Sequence, residues 1–279
     1  RLLRRLGVEP SVFHMNEGHA AFLALELMRE QIAGGAGFDE ALVGARRQCL
    51  FTTHTPVPAG HDRFGHELMD YAVRHLYGQL NVSAKELLAL GRVNPDDDNE
   101  EFCMTVLALK AARAANGVSE LHGQVSREMW HGLYPEASVD EVPIGHVTNG
   151  VHVPSWDSRE SDALWTQSCG KARWKGDAAD LHEPLCELSA SRLWEFAGAR
   201  RASLVRHVRQ VLGAQRGLRG DTQQHIAEAA EVLDPNALTL GFARRFTAYK
   251  RPNLLLREPE RLQRLLLDAT RPVQLGVAG

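Results

Sequence analysis

Apolar, β-favouring runs alternate with helical runs at least five times along the chain. A helix between two strands carries the chain back to start the next strand in parallel, so the expected class is α/β. Four of those strands run directly into polar side chains. His14, Asn16 and Glu17 follow the first, His54 the second, Asn149 a later one, and Arg244 and Arg245 another. Ligands in open α/β sheets sit beyond the carboxyl ends of the strands, so polar groups gathered there point to a site.

The opening strand is expected over Val8–Phe13. A helix in AAFLALELMREQI follows, capped by Asn16 with Glu17 in its first turn, and apolar on nearly every side as a buried helix would be. A glycine-rich loop over Gly34–Gly37 leads to a second helix, and LFTTHTPVPAGHD reads as a short strand ended by Pro56 and Pro58. Helices are expected over Glu67–Leu80, Ala84–Leu90, Phe102–Ala115 and Gln124–Gly132, with NGVSELHG as a short strand opening the last of these. PIGHVTNGVHVPSW marks a crossing between two domains, 1–150 and 151–279. Beyond it come a long basic amphipathic helix over Ser191–Leu212, a helix over Thr222–Val232 and a strand over Leu238–Phe242. The chain begins inside what reads as a helix end and stops at VQLGVAG, a buried-type strand with nothing to cover it, so an internal piece of a longer protein is expected.

Composition removes several function classes. With 44% hydrophobic and 24% charged residues, and 279 residues in all, the chain reads as globular with about two domains. A formal net charge of -3 leaves no overall footprint for nucleic acid. The four cysteines are scattered without a CxxC pair, against a disulfide framework or a thiolate zinc site and in favour of a reducing compartment. No apolar run has the length to span a bilayer and RLLRRLG lacks a signal-peptide core, so no membrane partner and a cytoplasmic location are expected.

The stretch from Gly241 to Leu256, GFARRFTAYKRPNLLL, reads as a strand, a basic turn and a helix. Arginine forks and a lysine point charge beside a helix N-terminus can hold a phosphate, and a solvated helix start is the other reading. The pairs His14/His19 and His54/His61 lack the HExxH spacing, so no metal is expected, and NPDDDNEE does not match a calcium loop. Neither a GxSxG elbow nor a GxGxxG turn is present. What remains is one acid, several histidines and asparagines, and a basic cluster, the inventory of a site for a sugar and a phosphate.

FHMNEGHAAF, FTTHTPVPAGHDRF, NGVSELHG, VTNGVHVPSW and FARRFTAYKR, in this order, resemble the α-glucan (glycogen/maltodextrin) phosphorylases, particularly their shorter bacterial and archaeal branch. The resemblance implies two Rossmann-like domains facing across a cleft, the glucan side in 1–150 and the cofactor and phosphate side in 151–279. It implies transfer of a terminal α-1,4-linked glucosyl unit to inorganic phosphate, giving glucose 1-phosphate, with pyridoxal phosphate as proton relay. By the same resemblance His54 contacts the glucosyl unit, Asn149 binds a glucose hydroxyl, and Glu17 and His19 line the glucan side. Arg245 and Lys250 match the pair that binds substrate phosphate, Tyr249 faces the acceptor sugar, Arg244 approaches the cofactor phosphate and Trp156 the cofactor ring. A homodimer is implied as well.

Thr247 and Ala248 stand where the muscle-type pattern has His and Glu, which removes two polar contacts. The Schiff-base lysine is expected beyond the end of this chain, leaving it inactive alone. A nucleotide-sugar-dependent glycogen or starch synthase, and a non-catalytic glucan-binding relative, are the competing readings.

Overall fold

The computed structural model describes residues 2–278. The chain forms two compact units, one up to Gly150 and one from Val151 onward.

In the first unit the elements are α1 (Leu2–Arg5), β1 (Phe13–Asn16), α2 (Phe22–Ala33), α3 (Phe38–Gln48), β2 (Cys49–Thr52), β3 (Arg63–Phe64), α4 (His66–Leu80), α5 (Ala84–Ala89), β4 (Phe102–Cys103), α6 (Met104–Lys110), β5 (Ala114–Gly117), α7 (Glu120–Trp130) and β6 (Ile144–His146). Strands β1, β2, β5 and β6 form one sheet in that order, every pair parallel. Met15, Phe51 and Ile144 carry the sheet's side of the core, and Leu25, Met28, Val106 and Leu107 are buried in the same cluster. This is the α/β class that the alternation of strands and helices requires.

Burial explains which segments became helices. Every residue of α6 from Met104 to Leu109 is buried, as expected for a helix that is apolar all round. Its last residue, Lys110, donates to the carbonyls of Ala89 at 3.0 Å and Arg92 at 2.6 Å. That arrangement satisfies the ammonium, while desolvation holds its pKa below the ordinary lysine value. Helix α5 starts in a capping box, Ser83 Oγ accepting from Glu86 N and Glu86 accepting from Ser83 N.

The second unit contains α8 (Val153–Trp156), α9 (Arg159–Cys169), α10 (His182–Cys186), α11 (Ala190–Arg219), α12 (Gln223–Glu228), β7 (Leu238–Ala243), α13 (Pro259–Leu266) and β8 (Val273–Ala278). Strands β7 and β8 pair in parallel from Leu238↔Val273 to Ala243↔Ala278. Helix α11 ends at Gly220, which takes a left-handed conformation at φ 80°. Arg209 ties α11 to the segment after α12, donating to the carbonyls of Val232 at 2.8 Å and Leu233 at 2.7 Å.

Several boundaries differ from expectation. The first strand begins at Phe13, three residues after Pro10, which supplies no N–H for a strand ladder. Asn16 is therefore the last residue of β1, and Glu17 caps the short 3-10 turn Gly18–Ala20. The alanine-rich segment expected as one helix to Ala115 ends at Lys110, and Ala114 and Ala115 join β5, because pairing with β2 overrides alanine's helix preference. After β7 the basic turn does not open an α-helix. The chain makes short 3-10 turns at Ala248–Lys250 and Leu254–Leu256, with Arg251 left-handed at φ 51° and Pro252 next, and α13 starts only at Pro259.

Gly117 sits where β5 turns toward α7. A Cβ there would lie 2.8 Å from Gly123 N and 2.9 Å from His122 Nδ1. Gly117→Ala is expected to destabilise the protein by about 1–3 kcal/mol through this overpacking, measured as a lowered midpoint in denaturant unfolding. An unchanged midpoint would show that the strand-to-helix approach tolerates a methyl group.

Candidate functional site at the carboxyl edge of the parallel sheet

Parallel register brings the ends of all four strands to one edge. Asn16 pairs with Thr52, Thr52 with Asn116, and Asn116 with Gly145, so these residues form a row across the sheet. Side chains link part of that row. Thr52 Oγ1 donates its single proton to Asn116 Oδ1 at 3.0 Å, so it accepts from His14 Nε2 at 2.8 Å, and His14 carries its proton on Nε2. Past the strand ends the backbone ladder continues, with Glu17 N donating to Thr52 O, Thr53 N to Asn116 O, and Asn149 N to Val118 O.

Beyond this row stand Glu17 and His54. Glu17 has φ 80° and ψ 164°, a conformation that side-chain-bearing residues rarely adopt and that costs about 1–3 kcal/mol. Its carboxylate offsets that strain by accepting from four donors. Oε1 accepts from Gly18 N at 3.0 Å and Thr53 Oγ1 at 3.4 Å. Oε2 accepts from His54 N at 2.7 Å and Thr55 Oγ1 at 2.9 Å. The His54 ring is exposed, with Nε2 2.7 Å from Asn16 Oδ1. With Asn16 oriented in this way the proton is on Nε2, and the Nδ1 lone pair remains available.

Of the residues singled out in sequence, the first unit thus brings Glu17 and His54 into direct contact. His19 and Asn149 are exposed and contribute no side-chain bond to that network. Asn16, expected as a helix cap, is instead the partner of the His54 ring. Asn116 is not among the residues singled out, although an Asn before Gly117 in NGVSELHG, on a strand beside TTHT, carried the signal.

Trp156, Arg244, Arg245, Tyr249 and Lys250 belong to the second unit. Trp156 closes α8 with 80% of its surface exposed. Arg244 and Arg245 are exposed beyond the last residue of β7, and Arg244 N donates to Ala278 O at 3.1 Å. Lys250 Nζ lies 4.8 Å from the centre of the Tyr249 ring, a cation–π arrangement. Among the described residues no carboxylate pairs with Arg244, Arg245 or Lys250. A basic turn without acidic partners is available to an anion.

The acidic segment is committed to the fold. Asp98 accepts from the buried Arg92 at 2.8 Å and pairs with Lys85 at 3.0 Å, while Glu100 accepts from Val93 N and Asn94 N. Among the described residues no three His, Cys, Asp or Glu side chains group as a metal site requires. His61 is buried, its Nδ1 2.9 Å from Thr105 Oγ1 and its ring edge-on to Trp130.

Comparison with known proteins identifies this assembly. No family model matches the chain. A glycogen phosphorylase of Mycobacterium tuberculosis is 44% identical over 282 residues, covering 97% of this chain and 32% of the relative. A maltodextrin phosphorylase of Thermococcus litoralis is 35% identical over 283 residues, covering 100% of this chain and 32% of the relative. A glycogen phosphorylase of Aquifex aeolicus is 34% identical over 283 residues, covering 100% and 40%. The α/β scaffold with polar strand ends is thus that of an enzyme family. The chain belongs to the glycogen and maltodextrin phosphorylases, and it spans about a third of the length of the curated relatives it matches.

Burial holds the His61 pKa below its ordinary 6.5, with the nearby Glu17 charge acting in the opposite sense. Between the folded value and 6.5 the unfolded chain therefore binds the proton and the folded chain does not. The stability contributed by neutral His61 is complete above pH 6.5 and is lost as pH falls through the folded value. His61→Gln is expected to flatten the loss of stability as pH falls below 6.5, read from denaturant midpoints across the acid range. An identical slope in the variant would remove His61 as its source.

Proposed function

We propose that this chain is part of an α-glucan phosphorylase, a glycosyltransferase that moves the terminal α-1,4-glucosyl unit of glycogen or maltodextrin to inorganic phosphate and releases glucose 1-phosphate. The observation that carries this reading is the identity of 34–44% to glycogen and maltodextrin phosphorylases over 97–100% of the chain. Each of these relatives is named a phosphorylase, which favours this activity over the synthase reading and over a glucan-binding protein without catalysis. The architecture of two Rossmann-like domains, a homodimer and a cytoplasmic location belong to the same proposal. Among the described residues no helix is long and apolar enough to cross a membrane.

The first unit is assigned the glucan side. His54 contacts the glucosyl unit with a ring held by Asn16, and Asn149 binds a sugar hydroxyl at the same sheet edge. The second unit is assigned the phosphate side. Arg245 and Lys250 hold the substrate phosphate, offsetting the charge that develops on oxygen as the glycosidic bond breaks, and Tyr249 faces the acceptor sugar. The exposed Arg244 suits the phosphate of pyridoxal phosphate and the exposed indole of Trp156 suits its ring, so these two are assigned to it. When bound, that cofactor supplies a phosphate that relays a proton.

A polypeptide of the relatives' length carrying these 279 residues, incubated with maltodextrin and inorganic phosphate, is expected to release glucose 1-phosphate. The absence of that product, together with no cofactor absorbance, would overturn the proposal. In the same assay Arg245→Ala is expected to raise the KM for phosphate about tenfold or more by removing charge-assisted hydrogen bonds, with the KM for glucan nearly unchanged. A weakened glucan KM with phosphate dependence intact would reassign the arginine.

A further inference from the structure

The motif FHMNEGH places an acid at the end of β1, and the resemblance sets that acid on the glucan side. The geometry points to a different use. An ionised carboxylate offers about four lone-pair sites, and all four at Glu17 are directed to this chain's own donors, two on each oxygen. Three of those donors belong to consecutive residues: the hydroxyl of Thr53, the backbone N–H of His54 and the hydroxyl of Thr55. Thr53 Oγ1 also accepts from Thr55 N at 3.4 Å, which draws the loop tighter around the carboxylate. The partner residue Asn16 lies immediately before Glu17 and holds the His54 ring at 2.7 Å.

We infer that Glu17 is a positioning residue, a strap whose carboxylate fixes the backbone of His54 so that the imidazole stands at a set place on the sheet edge. Backbone and ring of His54 are then gripped by two neighbouring residues of a single strand end. The positive-φ conformation of Glu17 serves this function, because it turns the side chain back across the β1–β2 junction to reach residues 53–55. A substrate hydroxyl finds no vacant lone pair on Glu17, whereas His54 Nδ1 remains open to one.

Amide hydrogen exchange on the full chain tests the strap independently of any activity. Glu17→Gln replaces one acceptor oxygen by an amide N–H that faces donors, and is expected to speed exchange at His54 N about tenfold or more, with the β1–β2 ladder amides unchanged. Thr55→Val removes a single donor from the same carboxylate and should give a smaller acceleration at the same amide. It keeps the question answerable if the Glu17 variant does not fold. Unaltered exchange at His54 in the folded variants would overturn the inference.

The kinetic arm rests on the phosphorylase reading. In the polypeptide of the relatives' length, Glu17→Gln is expected to lower kcat about tenfold or more while the KM for maltodextrin changes less than about twofold. A raised glucan KM with kcat preserved would make Glu17 a sugar ligand and defeat the strap. If the parent polypeptide forms no glucose 1-phosphate, the activity assignment fails and the exchange experiment alone decides the role of Glu17.

Discussion

A carboxylate at the end of β1 that accepts four hydrogen bonds holds together the segment on which the candidate site of the first unit depends. The backbone at Glu17 is strained, and strain of this kind persists only where surrounding contacts over-determine it. Here the contacts are charge-assisted and three of the four come from the turn after β2, so the strained residue and the loop bearing His54 stabilise each other. Gly18, which follows, is buried against Thr105 at the start of α6, leaving no room for a larger residue beside the carboxylate.

This local arrangement requires the parallel sheet. Only parallel strands deliver Asn16, Thr52, Asn116 and Gly145 to one edge in one row, and only there can backbone N–H groups continue the ladder beyond the strands to set the turns. The buried α6 and the close glycine approach between β5 and α7 keep the sheet's covering helices tight against it. The polar edge is thus a consequence of how the apolar side chains pack. The acidic loop between α5 and β4 shows the complementary case, since Asp98 is engaged by Arg92 and Lys85 and Glu100 by backbone donors, and both serve the fold.

Much of this could be read from the residues. Apolar runs around Phe51 and Leu240 identified strands, the strand expected over Val8–Phe13 met β1 only at Phe13, and the apolar-rich runs of residues 22–33 and 66–80 identified helices, because such runs are local. Boundaries were less legible. Ala114 and Ala115 are good helix formers and became strand, while the basic turn after β7 became 3-10 structure instead of an α-helix. In the first case a neighbouring strand decided, and in the second a proline and a left-handed arginine.

The sequence by itself determined the α/β class, the family and the identity of most polar residues at the strand ends, since composition, periodicity and motif order do not depend on folding. Tertiary structure alone decided what those residues touch. Asn16 changed from a helix cap to the partner of His54, and Glu17 from a first-turn acid to the acceptor for the loop that follows β2. The physical reason is distance along the chain: residues 37 and 38 positions apart meet only when parallel register aligns their strands, and hydrogen-bond geometry then selects the pairs.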